Sequence, residues 1–198
     1  MRKVQDYYFN KAKKDNYPAR SVYKLEEAQK KYRFIKKGDT VLDFGCYPGS
    51  WSIYAARIVG PEGLVIGVDL QEGKKVNIAK AAEIKWFCDD IMSDDIVGKL
   101  QDIRKTYRIV LSDIAPKTSG NKWLDQQQSL ILARRVLELA ASLLKKDGNF
   151  YVKVFEGEDF KDFVDSVRKS FKTVKIVKPK SSSSESPEVF VLGMGYKK

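Results

Sequence analysis

A lysine stands where a buried strand should have none. The run Phe150-Tyr151-Val152-Lys153-Val154-Phe155 has the apolar and aromatic character of a strand covered on both faces, and an ammonium inside it needs compensation. A neighbouring carboxylate would hold such a group charged, whereas burial beside a second lysine favours the neutral amine and so a proton acceptor. The chain contains no histidine. Serine–histidine triads, histidine-bound zinc and the imidazole base are thereby excluded, and acid–base work falls to carboxylates, lysines and tyrosines. Lys153 is the natural proton acceptor.

A second set of groups gathers at the ends of the strand-like runs. The first run closes in Asp43-Phe-Gly45-Cys-Tyr-Pro-Gly49-Ser-Trp51, the second ends in Asp69, the third is followed by Asp89 and Asp90, and the fourth ends in Asp113. Two glycines four apart let a backbone turn pass close to a ligand and start a helix, but this is not the G-x-G-x-x-G of dinucleotide enzymes. Acids at the ends of four successive strands suit a ligand with a ribose diol, an exocyclic amine and a positive centre, and suit a pyrophosphate poorly. S-adenosylmethionine meets that description, with Asp69 placed for the ribose and Asp90 for the adenine amine. Asp69 and Asp113, reached directly from apolar strands, are read as ligand contacts. Asp89 and Asp94 are read as helix-capping acids.

These groups must be positioned by a regular scaffold. Apolar runs at 40–45, 64–69, 83–88, 108–113, 149–155, 172–178 and 188–196 predict seven strands, alternating with helices near 50–59, 74–81, 92–105, 123–145 and 157–170. That alternation is the pattern of βαβ units and a parallel sheet, in which ligands bind beyond the carboxyl ends of the strands. Ahead of the first strand, Pro18 is expected to open a helix running to about Arg33, with Arg20, Lys24, Glu27 and Lys31 on one polar face and Val22, Leu25 and Gln29 turned elsewhere. The segment 178–187, KPKSSSSESP, has the composition of a flexible loop.

At 198 residues the chain is expected to form one globular unit. Its charge is segregated. Residues 1–37 carry 12 Lys/Arg against 4 Asp/Glu and residues 161–180 carry 7 against 2, while residues 38–160 carry 16 against 18. Basic ends around a near-neutral body point to a polyanion-binding surface, and tyrosines at 7, 8, 17, 23 and 32 interleave the N-terminal charges where they could stack on bases. Two cysteines without C-x-x-C spacing fit a reduced cytoplasm, and no apolar run is long enough to span a membrane.

The motifs also occur in a recognisable order. Ala-Arg-Ser-Val-Tyr-Lys-Leu (19–25), Asp-Phe-Gly-Cys-Tyr-Pro-Gly-Ser-Trp-Ser (43–52), Val-Asp-Leu (68–70), Leu-Ser-Asp-Ile-Ala-Pro-Lys-Thr-Ser-Gly (111–120), Val-Lys-Val-Phe-Glu-Gly-Glu (152–158) and Pro-Glu-Val-Phe-Val (187–191) resemble the FtsJ/RrmJ (RlmE) family of S-adenosylmethionine-dependent RNA ribose 2′-O-methyltransferases. The resemblance covers nearly the whole chain. It implies an α/β, Rossmann-like class I methyltransferase fold: a seven-stranded, mostly parallel sheet with helices on both faces, the last strand antiparallel, and an extra N-terminal basic helix. Residues 1–37 would be an RNA-contacting extension and 38–198 a single methyltransferase domain.

The same resemblance implies Lys24, Asp113, Lys153 and Glu188 as the catalytic set, with Lys153 the proton acceptor. It implies Gly49, Trp51, Asp69, Asp90 and Asp113 as contacts of S-adenosylmethionine, and no metal. The family's usual Ala-Ala-Pro-Gly-Gly-Trp is here Cys46-Tyr47-Pro48-Gly49-Ser50-Trp51, so Ser50 replaces a glycine and Tyr47 is bulky. The implied substrate is a uridine of large-subunit (23S) ribosomal RNA, in the loop that receives aminoacyl-tRNA, met by a cytoplasmic monomer. Lys172, Lys175, Lys178 and Lys180 are expected to help the N-terminal segment hold that RNA. Pro-Gly-Ser-Trp occurs also in the related tRNA branch, so a tRNA 2′-O-methyltransferase is the alternative; a non-catalytic ribosome-assembly factor is the alternative of a different class.

Overall fold

The structure is a computed structural model that describes residues 2–198 apart from 74, 75, 77 and 184, with the side chains of 2–6 outside the description. Its elements in chain order are α1 (Arg2–Lys14), α2 (Val22–Tyr32), β1 (Thr40–Phe44), α3 (Ser50–Val59), β2 (Leu64–Asp69), β3 (Glu83–Cys88), α4 (Ile96–Ile103), β4 (Tyr107–Ser112), α5 (Lys122–Leu143), β5 (Leu144–Phe155), α6 (Phe160–Ser170), β6 (Phe171–Val177) and β7 (Glu188–Tyr196). The strands form one sheet of order β3-β2-β1-β4-β5-β7-β6, parallel from β3 to β5, with β7 antiparallel to both neighbours. Strand order reverses between β1 and β4, so the ligand crevice of such a sheet falls at their carboxyl ends.

Side-chain alternation builds the two layers. Val41, Val65, Ile109, Leu111 and Tyr151 pack with Leu25 and Ala28 of α2 and Trp51, Ala55 and Ala56 of α3. Leu42, Ile66, Val110 and Phe150 pack in the other cluster, with Leu100 of α4, Leu139 and Leu143 of α5 and Phe163 of α6. Each fully buried aliphatic side chain contributes about 1.5–3 kcal/mol, so α2 is held by core packing as well as by its charges. The outer strands β3 and β6 turn Glu83, Lys85, Lys172 and Lys175 to solvent, which blunts the exposed edges.

Three expectations need correction. Residues 15–21 form turns and bends, so Pro18 precedes the helix, which begins at Val22; a separate helix, α1, occupies the extension before it. The helix expected over 74–81 falls partly on residues outside the description, and the described ones there, 76 and 78–81, are coil and a turn. The helix expected from 92 begins only at Ile96.

Candidate active site

Strand parity and one helix bring together the four residues of the expected catalytic set. Lys153 shares its β5 face with Tyr151, Glu188 shares its β7 face with Phe190, and the pairing sets Lys153 opposite Phe190. Asp113 follows β4 directly, and Lys24 comes down from α2. Lys153 Nζ donates to the Asp113 backbone carbonyl at 2.7 Å and to its Oδ1 at 3.0 Å, and lies 3.9 Å from Glu188 Oε2. Lys24 Nζ donates to Glu188 Oε2 at 2.7 Å and lies 3.8 Å from Asp113 Oδ1. Two ammoniums are thus interleaved with two carboxylates, which is how Lys153 can be 6% exposed without an unpaired charge.

Several residues hold this arrangement that sequence reasoning did not single out. Ser182 Oγ donates to Glu188 Oε1 at 2.7 Å, so both Glu188 oxygens are engaged. Burial pulls the Glu188 carboxyl up, but the charge and hydrogen bond of Lys24, the Ser182 hydroxyl and Lys153 outweigh it and hold the group below the ordinary range. The segment expected to be flexible is therefore anchored at its start: Ser181 and Ser182 are buried, and the amides of Lys180 and Ser181 donate to Glu27 at 2.7 and 3.0 Å. Ser50, the departure from glycine, accepts the Ala19 amide at 2.7 Å, Trp51 Nε1 donates to the Ser21 carbonyl at 2.8 Å, and Tyr151 Oη donates to the Lys24 carbonyl at 3.2 Å. These three bonds pin the start of α2 and so the position of Lys24.

Beside this cluster, a cleft of about 380 Å³ opens at the ends of β1, β2 and β4, lined by Gly45, Asp69, Asp90, Asp113, Ile114 and Leu132 among others. Asp69 accepts the N–H groups of Tyr47 and Gln71 at 2.9 and 3.0 Å, which fixes its carboxylate at the rim with lone pairs to spare. Asp90 accepts the Met92 N–H at 2.9 Å. Asp89 pairs with Lys99 at 2.8 Å, a structural role, while Asp95 rather than Asp94 immediately precedes α4 and bonds Ser93 and Lys99. Gly45 has φ +72° and a Cβ there would collide with Ile114, so only glycine lets the backbone form this wall.

Of the expected cofactor contacts, Asp69, Asp90 and Asp113 line the cleft. Trp51 lines, with Asp43, a small recess of about 50 Å³ that adjoins the cleft at Gly45, Tyr47 and Asp113, and Gly49 lines neither. Gly49 is the residue before α3, with φ +106° and the Trp86 ring where a Cβ would stand, and Trp51 is buried, stacked on Tyr151 at 5.5 Å. Asp43 was counted among the strand-end acids but given no role of its own, although an acid inside TVLDF was as anomalous as a lysine inside FYVKVF. It is 1% exposed; its Oδ2 accepts the Ser52 hydroxyl at 2.6 Å and its Oδ1 has no partner among the described residues. Burial, against the Ser52 hydrogen bond, and then the charges of Asp113 and Asp69 push its carboxyl up to about 7. A buried orphan oxygen flanked by two further acids is relieved by a cationic ligand and aggravated by an anionic one. The residues present therefore fit a sulfonium cofactor.

Comparison with known proteins agrees with this geometry. Residues 17–196 match the family model described as FtsJ-like methyltransferase. The chain is 56% identical over 198 residues to "Ribosomal RNA large subunit methyltransferase E" of Desulfotalea psychrophila, covering 100% of this chain and 98% of that protein, and 44% identical over 196 residues to the protein of the same name from Desulfosudis oleivorans, covering 99% and 93%. Among solved structures, a ribosomal RNA methyltransferase from Plasmodium falciparum superposes with a TM-score of 0.77 at 27% identity, covering 91% of this chain and 98% of that one. Aeropyrum pernix fibrillarin with natively bound S-adenosyl-L-methionine superposes with a TM-score of 0.55 at 14% identity, covering 81% and 68%, a likeness of fold.

Proposed function

The chain belongs to the FtsJ-like methyltransferase family, and from that membership we infer that it methylates a ribose 2′-hydroxyl of ribosomal RNA. Its cofactor is S-adenosylmethionine, which when bound supplies a methyl group already activated on a sulfonium. Asp69 and Asp90 would accept hydrogen bonds from its ribose and adenine, and Asp43 and Asp113 would face its positive charge. What remains for the chain is to place the hydroxyl and take its proton.

One observation carries the assignment of that proton to Lys153. Its Nζ donates two hydrogen bonds, both to Asp113, and its other ion-pair contact, Glu188 Oε2, lies at 3.9 Å, beyond hydrogen-bond reach, so a third position is left without a hydrogen-bond partner among the described residues. In the neutral amine that third position is a lone pair, aimed by two fixed N–H bonds. Lys24, held by Glu188, would donate to the same ribose oxygen and lower the cost of its deprotonation. Glu188 positions both lysines.

We further propose that the target is a uridine in the aminoacyl-tRNA loop of the large-subunit RNA, and that the enzyme acts as a cytoplasmic monomer with RNA held by its basic ends. The identity to proteins named for that subunit supports the substrate, and the charge segregation supports the footprint. Within the proposed footprint, Lys175 and Lys180, both exposed and in no ion pair among the described residues, would contact phosphate. Lys172 pairs with Asp147 at 2.6 Å and Lys178 Nζ is engaged by the carbonyls of Ser186 and Glu188, so both have intramolecular partners. Mapping 2′-O-methyl groups in large-subunit RNA and tRNA, with and without the enzyme, tests the reading: one ribosomal position should depend on it, and dependence of a tRNA position instead would assign the chain to the tRNA branch.

A further inference from the structure

A second hollow, larger than the cofactor cleft, lies away from it. A groove of about 660 Å³ runs between α1, α2 and the chain leaving β6, and its walls include Tyr7, Tyr32, Lys30, Lys31, Lys180 and Ile176. Tyr7 is 60% exposed and Ile176 49%. The aromatic wall is supported from behind: Tyr7 meets Tyr8 edge-on at 5.2 Å, and Tyr8 packs at 5.2 Å on the buried Tyr23, whose hydroxyl donates to Asp15 at 2.9 Å. Tyr23 itself is therefore unavailable for stacking, contrary to the sequence expectation, and serves as the footing for a ring that is.

The acids of the groove are already engaged. Glu26 pairs with Lys30 at 3.0 Å and with Lys11 at 4.0 Å, and Glu27 accepts the two amides of the serine-rich segment. Lys31 lies over the Tyr32 ring at 5.2 Å, and neither it nor Lys180 is in an ion pair among the described residues. The wall thus offers the exposed Tyr7 ring and the outer part of the half-buried Tyr32, beside two lysines that are in no ion pair among the described residues. It also leads to the reaction centre: Lys24 and Lys31 share α2, about 10 Å apart along its axis, and Lys178 on the groove wall donates to the Glu188 carbonyl at 2.7 Å.

We propose that this groove holds the single-stranded nucleotides flanking the methylated ribose, with bases stacked on Tyr7 and Tyr32 and phosphates against Lys31 and Lys180. The proposal rests on the reading of the chain as an RNA methyltransferase. Single strands, unlike duplexes, present base faces to aromatic side chains, and stacking is tolerant of sequence because every base has such a face.

The test uses the full-length protein, a fluorescein-labelled single-stranded RNA of about ten nucleotides, within the usual site sizes of such grooves, and a duplex of the same sequence. The wild type should bind the single strand more tightly. The double variant Tyr7→Ala/Tyr32→Ala should weaken that binding by roughly tenfold or more, and Lys31→Ser/Lys180→Ser should lower the slope of log affinity against log salt by about 1.4. Calorimetric binding of S-adenosylmethionine, with thermal melting, checks that each variant is folded; if the alanine pair is not, Tyr7→Leu/Tyr32→Leu keeps apolar bulk without the stacking plane. Wild-type methylation of ribosomal RNA combined with binding unchanged in both variants overturns the groove alone. A wild type that neither binds nor methylates RNA overturns the groove and the methyltransferase reading together. Loss of binding to a polyglutamate peptide in the variants, with their RNA affinity unchanged, would make the groove a protein-docking site and refute the proposal.

Discussion

Asp43→Asn isolates one buried acid and can be followed without any substrate. The side chain is 1% exposed, keeps one hydrogen bond from Ser52 and carries a carboxyl pushed up to about 7 from an ordinary 3.8. A carboxyl whose folded-state pKa is raised favours folding most while it is protonated in both states. Its contribution is lost as pH rises from the unfolded value to the folded one, and is flat above about 7. With about 1.4 kcal/mol per unit, the whole loss is about 4 kcal/mol, of which about 2–3 kcal/mol falls between pH 5 and pH 8. Asparagine has the same shape and no titration, so urea denaturation at pH 5 and pH 8 should show the wild type losing stability relative to the variant by that amount. Stabilities that move in parallel across this range would refute the claim that Asp43 is a strained buried acid, and with it the argument that the cleft is tuned for a cation.

Two other substitutions probe the supports of the site. Ser182→Ala removes the donor to Glu188 Oε1; hydrogen bonds to charged groups are worth about 1.5–3 kcal/mol, so kcat for methyl transfer should fall by roughly tenfold or more, with the cofactor's binding constant unchanged and activity restored in Ser182→Thr. Gly49→Ala places a Cβ 2.8 Å from Trp86 at φ +106°; left-handed strain and overpacking together should cost about 2–4 kcal/mol in chemical denaturation, with little effect at Gly98, where a Cβ meets open space.

The strands were the most legible part of the fold because their apolar runs are short and bounded by turn residues. The runs 64–69, 83–88 and 188–196 coincide with β2, β3 and β7 end to end. Helix starts were harder. Pro18 looked like a first-turn proline, but the Ala19 amide bonds Ser50 and the chain enters α2 only after that tether, a long-range constraint that no local signal contains. Lys153 and Asp113 could be argued from their own surroundings in the chain, an ammonium in an apolar strand and an acid closing one. Lys24 and Glu188 could not, since each is an ordinary charged residue until the pairing of β5 with β7 and the docking of α2 bring them together; only the resemblance named them. Ser182 was hidden by the low complexity of its segment, which reads as loop although its second serine is buried against a carboxylate.

The central claim is that the Lys153 amine, fixed by Asp113, removes the ribose proton. Lys153→Met keeps the length and apolar stem and removes the acceptor, leaving Lys24 to pair both carboxylates. Single-turnover methyl transfer to large-subunit RNA, read beside calorimetric binding of S-adenosylmethionine, should fall by about 10²–10⁴-fold with cofactor affinity nearly intact. A folded variant that binds cofactor and transfers methyl at the wild-type rate would contradict the account.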